Sequence, residues 1–315
     1  MKKYLFVFSL VACTINVALP NQAFAVELYS AGSLRNSLTE ITGLFTEDTG
    51  IPVTLTFNGS GTLADTIQKE LTEKGKSADV FTSADIGNPQ RLYDQGLSGP
   101  VVNFIGNRLV AVVRPGLNVT SDNLLNFLLD PNIKVGTSTP IKDPSGDYAF
   151  QVFDKAGQVK SGSTQILKDK ALQLVGGNPN APVLPNGENN LVYFLKKIPQ
   201  EEFRADIFLS YYTGALSAQA LPNGSDLQLI ELPNYLATKA DYGLTIVKNA
   251  DPDSQKLADY ILSPKAQDIL INKYKFAPPS TPVPEPSSIG GAVLAVSIAF
   301  ALKKRQAYFK SNQSK

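Results

Sequence analysis

Short β-type segments alternate with amphipathic helical segments along the chain from Val26 to about Pro279. The first strand is predicted at 26–30. After it, apolar residues recur at spacings of four, three and four between Leu34 and Phe45, which is one face of a helix. Gly50 is placed to end that helix, and a new strand pattern follows it. This alternation predicts an α/β fold in which helices cover a parallel or mixed sheet.

The same reasoning predicts the remaining elements of the chain. The other predicted strands are 53–57, 78–83, 109–113, 133–136, 205–212, 227–232 and 242–248, and the helices are 34–45, 63–71, 121–129 (capped by Ser121), 148–156, 191–197 and 253–274. Pro115 and Gly116 interrupt the pattern before it restarts, which favours two α/β units. The order of the elements fits a chain that returns to the first unit near its end. Periodicity does not show at which residues the chain crosses between the units.

The residue types that the chain lacks exclude several classes of site. There is no His and a single Cys, at position 13. Zinc and copper sites are therefore strongly disfavoured, and His-dependent nucleophiles are excluded. Lys and Arg number 29 against 28 Asp and Glu, which gives no indication of nucleic-acid binding. No cofactor and no free metal ion are therefore expected. The remaining polar groups available for a ligand are hydroxyls, carboxylates, amines and the backbone.

The amino-terminal segment has the pattern of an export signal. A basic start is followed by an apolar stretch and by Ala23-Phe24-Ala25, which is typical of a cleavage site, so residues 1–25 are predicted to be a signal peptide. An alternative remains open, because the residues before Cys13 resemble a lipobox and Cys13 would then be lipidated. Either interpretation places the mature chain outside the cytoplasm, in the periplasm or at the cell surface.

The carboxy-terminal segment has three successive parts. Residues 280–288 form a spacer rich in Pro and Ser, residues 289–305 are an apolar run that ends in Lys303-Lys304-Arg305, and residues 306–315 are a polar tail. This order resembles the PEP-CTERM sorting signal of bacterial exported proteins. The resemblance implies processing by an exosortase-type membrane peptidase, or anchoring in the membrane with the basic end inside.

Three turns rich in Ser and Gly each lead from a strand or loop directly into a helix. They are 30–33, 58–62 and 143–147, and they carry Ser33, Ser60 and Ser145. Ser is a common helix cap, and any one of these residues alone would be interpreted in that way. Three such turns in one α/β chain instead favour an anion site, since helix N-termini present free N–H groups and α/β ligands bind at the carboxyl ends of strands.

An ordered set of motifs resembles the bacterial molybdate-binding proteins, which are extracytoplasmic receptors of ABC importers. The motifs are Ala31–Leu34, Asn58–Leu63, Ala78–Asp85, Asn107–Val110, Asp143–Ala149 and Ala205–Tyr211. The resemblance runs from about Glu27 to Pro278. It implies a two-lobed, type II periplasmic-binding-protein-like fold, with a mixed sheet flanked by helices in each lobe and a ligand cleft between them. Residues 26–279 form this solute-binding domain, with lobe 1 at about 26–112 and 234–279 and lobe 2 at about 113–233.

The resemblance also implies a ligand and a set of binding residues. The expected ligand is molybdate, and tungstate, which has the same charge and shape, is expected to bind as well. The expected partner is the permease of an ABC importer, and the receptor is expected to be a monomer. Ser33 and Ser60 correspond to two serine ligands, Ser145 to a backbone N–H donor and Tyr211 to a tyrosine donor. A further backbone contact is expected near Asn190. Because Tyr212 follows directly, which of the two tyrosines contacts the ligand stays open.

Three other interpretations remain. Paired tyrosines also occur in ferric-ion-binding proteins of the same general fold, so Tyr211 and Tyr212 could instead bind Fe(III). The sorting signal could mark a surface protein that has kept the fold without binding. An enzyme is the weakest alternative, since Asp79 and Asp85 are more typical of residues that bound a strand than of an acid/base pair.

Overall fold

A computed structural model of the protein describes residues 25–198, 202 and 204–280. The strands are β1 (Val26–Ala31), β2 (Val53–Asn58), β3 (Val80–Ser83), β4 (Val102–Val113), β5 (Val135–Ser138), β6 (Ala171–Val175), β7 (Ile207–Tyr211), β8 (Gln228–Glu231) and β9 (Lys239–Ile246). The helices are α1 (Arg35–Thr49), α2 (Ser60–Lys74), α3 (Gly87–Asp94), α4 (Leu124–Leu129), α5 (Pro144–Val159), α6 (Ser163–Lys170), α7 (Asn190–Val192), α8 (Tyr212–Gln219), α9 (Ser254–Leu262) and α10 (Pro264–Asp268). A 3-10 turn, Gly32–Leu34, precedes α1, and π-helical turns continue α7 and α10.

The strands form two mixed sheets that share β4. The first part of β4, Val102–Arg108, pairs antiparallel with β9, which in turn pairs with β3 of the parallel group β2-β1-β3. The second part, Leu109–Val113, pairs antiparallel with β7. Strand β7 pairs in parallel with β5, and β5 pairs in parallel with β6. The chain therefore forms two α/β halves, and β4 passes from one to the other between Arg108 and Leu109.

The predicted alternation of strands and helices is confirmed where the apolar spacing is regular. Leu38, Ile41 and Phe45 are fully buried on one face of α1, which packs this helix on the first sheet. Gly50 follows α1 with φ of 73°, a left-handed conformation that glycine adopts at little cost. The sequence therefore determines both the inward face of α1 and its end.

Other elements differ from the prediction in length or position. β4 begins seven residues before the predicted strand, because its first part carries polar residues and a bulge that hide the strand pattern. Helix α5 begins at Pro144 rather than at 148, since Pro suits the first helical turn and Asp143 caps it. Ser121 does not cap α4, which starts at Leu124 after a turn closed by hydrogen bonds between Thr120 and Asn123. Helices α3, α6 and α8 and strand β6 were not predicted.

The predicted signal peptide, apart from Ala25, and the chain from 281 onward lie outside the described residues. The predicted apolar segment 289–305 is therefore not part of the structure described. Within the described ranges, no helix combines the length and apolar character needed to cross a membrane.

Candidate functional site

A cavity of about 580 Å³ lies between the two halves of the protein. Strands β1 and β3 run parallel, so their carboxyl ends meet at one edge of the first sheet, where the turns at Ser33 and Ala84 lie. Strands β5 and β7 are also parallel, and their carboxyl ends bring Ser138 and Tyr211 to the opposite wall. The cavity has the size of a small-molecule site and the location that ligands favour in α/β sheets.

The structure brings most of the predicted site residues together. Ser33, Ser60, Ser145, Asn190 and Tyr211 all line the cavity, the first two from one half of the protein and the other three from the second half. These residues lie as much as 178 positions apart in the sequence, between Ser33 and Tyr211, so only the fold unites them.

None of the three serines caps the helix that it begins. The N-cap of α2 is Gly59, the N-cap of α5 is Asp143, and the turn at Ser33 has no side-chain cap. Ser60 is fully buried, and its Oγ accepts a hydrogen bond from Ala84 N at 3.0 Å. The hydroxyl of Ser60 still holds a proton to donate, which leaves it suited to a ligand that accepts hydrogen bonds.

The backbone N–H of Ser145 already has an acceptor. It donates to Asp143 Oδ1 at 3.0 Å, and the next N–H, of Gly146, donates to Asp143 O at 2.9 Å. The same holds near Asn190, because Leu191 N donates to the side-chain oxygens of Asn189 and Asn190. In this structure Ser145 N and Leu191 N are therefore engaged in helix capping, while Ser145, Asn190 and Leu191 all belong to the cavity lining.

Asp143 places a carboxyl group in the wall of this cavity. Burial raises the pKa of the Asp143 carboxyl to about 6. Hydrogen bonds from Ser145 N and Ser138 stabilise the carboxylate and lower the pKa, whereas the negative charges of Asp147 and Asp85 raise it further. A carboxyl group with this pKa is protonated more easily than an ordinary aspartate. Protonation would remove its repulsion toward a bound anion.

The two adjacent tyrosines point in different directions. Tyr211 lines the cavity, and its hydroxyl donates a long hydrogen bond of 3.4 Å to Ala84 O. Burial raises the pKa of Tyr211 well above its ordinary value, so the phenol keeps its proton and acts as a donor. Tyr212 does not line the cavity: the Arg108 guanidinium lies 3.5 Å above its ring, and Arg108 also binds Glu231. The structure does not bring the two phenol oxygens to one point.

The remaining carboxylates considered in the sequence serve the fold. Asp79 is fully buried and accepts hydrogen bonds from the backbone N–H groups of Glu27 and Asp251, at 2.8 and 2.7 Å. Asp85 accepts from Ser83 Oγ and Asn88 N. Across the residues described, no three His, Cys, Asp or Glu side chains form a group that could hold a metal ion.

The two halves touch beside the cavity through a contact that we call the interlobe contact, formed by Gly59–Thr62 at the start of α2 and by Ile141–Lys142 before α5. Thr62 N donates to Lys142 O at 3.2 Å, and Lys142 Nζ pairs with Asp65 Oδ2 at 2.8 Å. Ile141 has φ of 72°, a strained conformation for a β-branched residue.

Glycine is required at the interlobe contact because backbone approaches backbone there. A Cβ on Gly59 would lie 2.5 Å from Lys142 O, and a Cβ on Gly61 would overlap the carbonyl oxygen of Ile141. The first turn of α2 thus carries both Ser60, which faces the cavity, and the glycines that let the second half dock. The close approach at these glycines is made by the other half of the protein.

Sequence reasoning missed two groups behind the cavity wall. Tyr242 on β9 is fully buried, and its hydroxyl lies 3.0 Å from Ser33 Oγ. Asn107 on β4 donates from Nδ2 to Tyr242 OH at 3.2 Å and to Thr213 Oγ1 at 2.9 Å. Neither residue lies in a Ser/Gly turn, and no spacing in the sequence relates Tyr242 to Ser33.

Comparisons with known proteins agree with this architecture. The family model described as "Bacterial extracellular solute-binding protein" matches residues 26–274. "Uncharacterized protein PM1146" of Pasteurella multocida (strain Pm70) is 30% identical over 220 residues, which is 70% of this chain and 86% of that protein. "Molybdate-binding protein ModA" of Escherichia coli (strain K12) is 31% identical over 173 residues, 50% of this chain and 62% of that protein.

Solved structures share the fold at lower identity. The periplasmic molybdate-binding protein of Azotobacter vinelandii superposes with a TM-score of 0.61 at 19% identity, over 81% of this chain and all of that one. The Trichodesmium IdiA (FutA) protein, in complex with iron and citrate, superposes with a TM-score of 0.53 at 17% identity, over 83% of this chain and 88% of that one. The predicted two-lobed α/β fold of type II is confirmed. With the match spanning nearly all of the described residues, the chain belongs to the bacterial extracellular solute-binding proteins.

Proposed function

We propose that this solute-binding protein is the extracytoplasmic receptor of an ABC importer, and that it captures a tetrahedral oxyanion, molybdate or tungstate, as a monomer that does no chemistry on it. The observation that supports the proposal is that Ser33, Ser60, Ser145 and Tyr211, each of which carries a hydroxyl, line one cavity from both halves of the protein. Relatives named as molybdate-binding proteins support the choice of oxyanion.

Neutral donors in a closed cleft suit a dianion. Once water is excluded, each hydrogen bond to the charged ligand is stronger than it is in bulk solvent. The Asp143 carboxyl in the wall already accepts hydrogen bonds from Ser145 N and Ser138, and the serine and tyrosine hydroxyls are the donors of the site. A protonated anion would therefore lack a free acceptor for its O–H, which discriminates against phosphate. Molybdate and tungstate share charge and shape, so both are expected to bind. Sulfate is smaller and is expected to fill the closed cavity less well.

Ferric ion is the second candidate ligand, because an iron-binding protein has the same fold. The geometry gives it less support. Of the two adjacent tyrosines, Tyr211 lines the cavity and Tyr212 does not, since the ring of Tyr212 packs beneath Arg108. Tyr274 also belongs to the lining, but its hydroxyl is already bound to Glu40 at 2.8 Å. A version of the fold that binds nothing, carried on a surface protein, is the remaining alternative.

Thermal-shift screening of the exported chain separates these candidates. Molybdate and tungstate are expected to raise the stability by about 2.7 kcal/mol at a hundredfold excess over the dissociation constant, while phosphate gives no shift. An Fe(III) titration that produces the visible colour of iron–tyrosinate would replace the oxyanion proposal with the iron one. No shift with any of these ligands would favour the surface protein.

We further propose that residues 280–315 sort or anchor the protein and take no part in binding. The sequence order of Pro-rich spacer, apolar run and basic cluster supports this. A chain that ends at Pro279 is expected to fold cooperatively and to bind the ligand as the intact chain does. In cells the intact chain is expected in the membrane fraction, or trimmed near Pro284. Loss of folding or of affinity on truncation would show that the segment belongs to the domain.

A further inference from the structure

A chain of hydrogen bonds lies behind Ser33 in the cavity wall. The hydroxyl of Tyr242 lies 3.0 Å from Ser33 Oγ, and Asn107 Nδ2 lies 3.2 Å from the same hydroxyl. Tyr242 and Asn107 are buried, with 0% and 4% of their surface exposed. Their hydrogen bonds must therefore be satisfied within the protein.

The direction of each bond follows from the chemistry of the groups. Arg108 N donates to one end of the Asn107 amide at 2.9 Å, so that end is the oxygen and the other end is the NH₂ group. An NH₂ group only donates, so the Tyr242 oxygen accepts from Asn107. The phenol proton then needs an acceptor of its own. Among the described residues, Ser33 Oγ is the only other hydrogen-bond partner of this hydroxyl, so Tyr242 donates to Ser33.

We infer that Tyr242, held by Asn107, is a positioning residue that turns the hydroxyl proton of Ser33 into the cavity. Because Ser33 Oγ accepts from Tyr242, its single proton is left for the ligand. Ser60 is arranged in the same way, since Ala84 N donates to its Oγ and leaves its proton free. Both serines are thereby set as donors before the ligand arrives. The inference rests on the proposed function, because it explains how the site selects an oxyanion that carries no proton.

We call the hydrogen-bond chain from Asn107 through Tyr242 to Ser33 the relay. Its hydrogen bonds keep their direction over the physiological pH range. Burial raises the pKa of Tyr242 above its ordinary value. Its hydrogen bonds with Ser33 and Asn107 act in the opposite direction, and the nearby Tyr148 and Asp143 raise the pKa further. The phenol thus stays protonated and remains a donor to Ser33. The Asn107 amide does not titrate, so neither member of the relay changes its role with pH.

Neutron diffraction from a ligand-free, deuterium-exchanged crystal tests the relay without reference to any ligand. The expected deuteron of Tyr242 lies on the line to Ser33 Oγ, and the deuteron of Ser33 points into the cavity. A Ser33 deuteron that points at Tyr242 would overturn the inference. This result is independent of whether the protein binds molybdate.

A double-mutant cycle tests the consequence for binding. Tyr242→Phe is expected to weaken molybdate binding about three- to tenfold and to reduce the preference for molybdate over phosphate, as for the loss of one neutral hydrogen bond. In a Ser33→Ala background the same substitution is expected to change the dissociation constant less than about twofold, because Tyr242 acts through Ser33.

The matched control is Tyr260→Phe, which removes a hydroxyl that binds Asp48 on the surface. It is expected to leave the affinity unchanged. An equal effect of Tyr242→Phe with and without Ser33 would show a general packing role and overturn the inference. If the unaltered protein bound no oxyanion at all, the proposed function would fail, whereas the neutron map would still decide the relay.

Discussion

Molybdate binding is expected to weaken by about ten- to over a hundredfold when Ser60 or Ser33 is replaced by alanine, which corresponds to about 1.5–3 kcal/mol for a hydrogen bond to a charged group. Each change removes one hydroxyl donor from an anion held away from water. Ser60→Ala also leaves the buried N–H of Ala84 without its acceptor, so a loss of stability of about 1–3 kcal/mol accompanies the weaker binding. Calorimetric titration gives the affinity, and thermal unfolding gives the stability.

Ser254→Ala is the matched control for these two variants. Ser254 is as buried as Ser60, and its hydroxyl donates to Asp251 O at the start of α9, outside the cavity lining. This variant is expected to lose stability without losing affinity. Unaltered molybdate binding in both Ser33→Ala and Ser60→Ala would mean that these hydroxyls only support the fold.

The second large effect is expected from Gly61→Ala, which should prevent the two halves from closing on the ligand. Gly61 lies in the first turn of α2 with a negative φ, so alanine fits the helix and even favours it by about 1 kcal/mol. The added Cβ, however, overlaps the carbonyl oxygen of Ile141 in the other half. Both sides of this contact are backbone, so the halves must separate to relieve it.

The expected loss of affinity follows from the population of the closed state. If the variant closes about 1% of the time, the apparent affinity falls about a hundredfold, although every ligand-binding side chain is retained. Small-angle X-ray scattering is expected to show that molybdate compacts the unaltered protein and leaves Gly61→Ala extended. Gly43→Ala is the control, because this glycine lies in α1 with open space around its Cβ position. Affinity equal to that of the unaltered protein would show that the interlobe contact plays no part in binding.

Local patterns predicted the parts of the fold that local physics determines. The apolar face of α1 and its end at Gly50 follow from side-chain spacing and from the left-handed φ that glycine adopts. The passage of β4 between the two sheets is determined by pairing with β9 and β7, which lie more than 90 residues further along the chain. Strand β6 escaped prediction because it is a half-exposed edge strand with no clean alternation.

In the candidate site, too, local sequence patterns predicted some residues, and others depend on contacts between distant parts of the chain. Ser33 and Ser60 stood out because the Ser/Gly turn chemistry lies within a few residues of each. Tyr242 could not be found in this way, since its relation to Ser33 spans 209 residues and exists only through the pairing of β9 with β3 and β4. The capping of Ser145 N by Asp143 was equally hidden, because the motif does not tell whether an N–H faces a ligand or a neighbouring carboxylate. Tyr211 and Tyr212 diverge because one ends a strand and the next begins a helix.

Isothermal titration calorimetry of the exported chain with molybdate, in competition with phosphate, measures the proposed binding itself. We expect one molybdate bound per chain, displaced by tungstate and unaffected by a large excess of phosphate. Absence of binding heat with both molybdate and tungstate, with no competition between them, would contradict it.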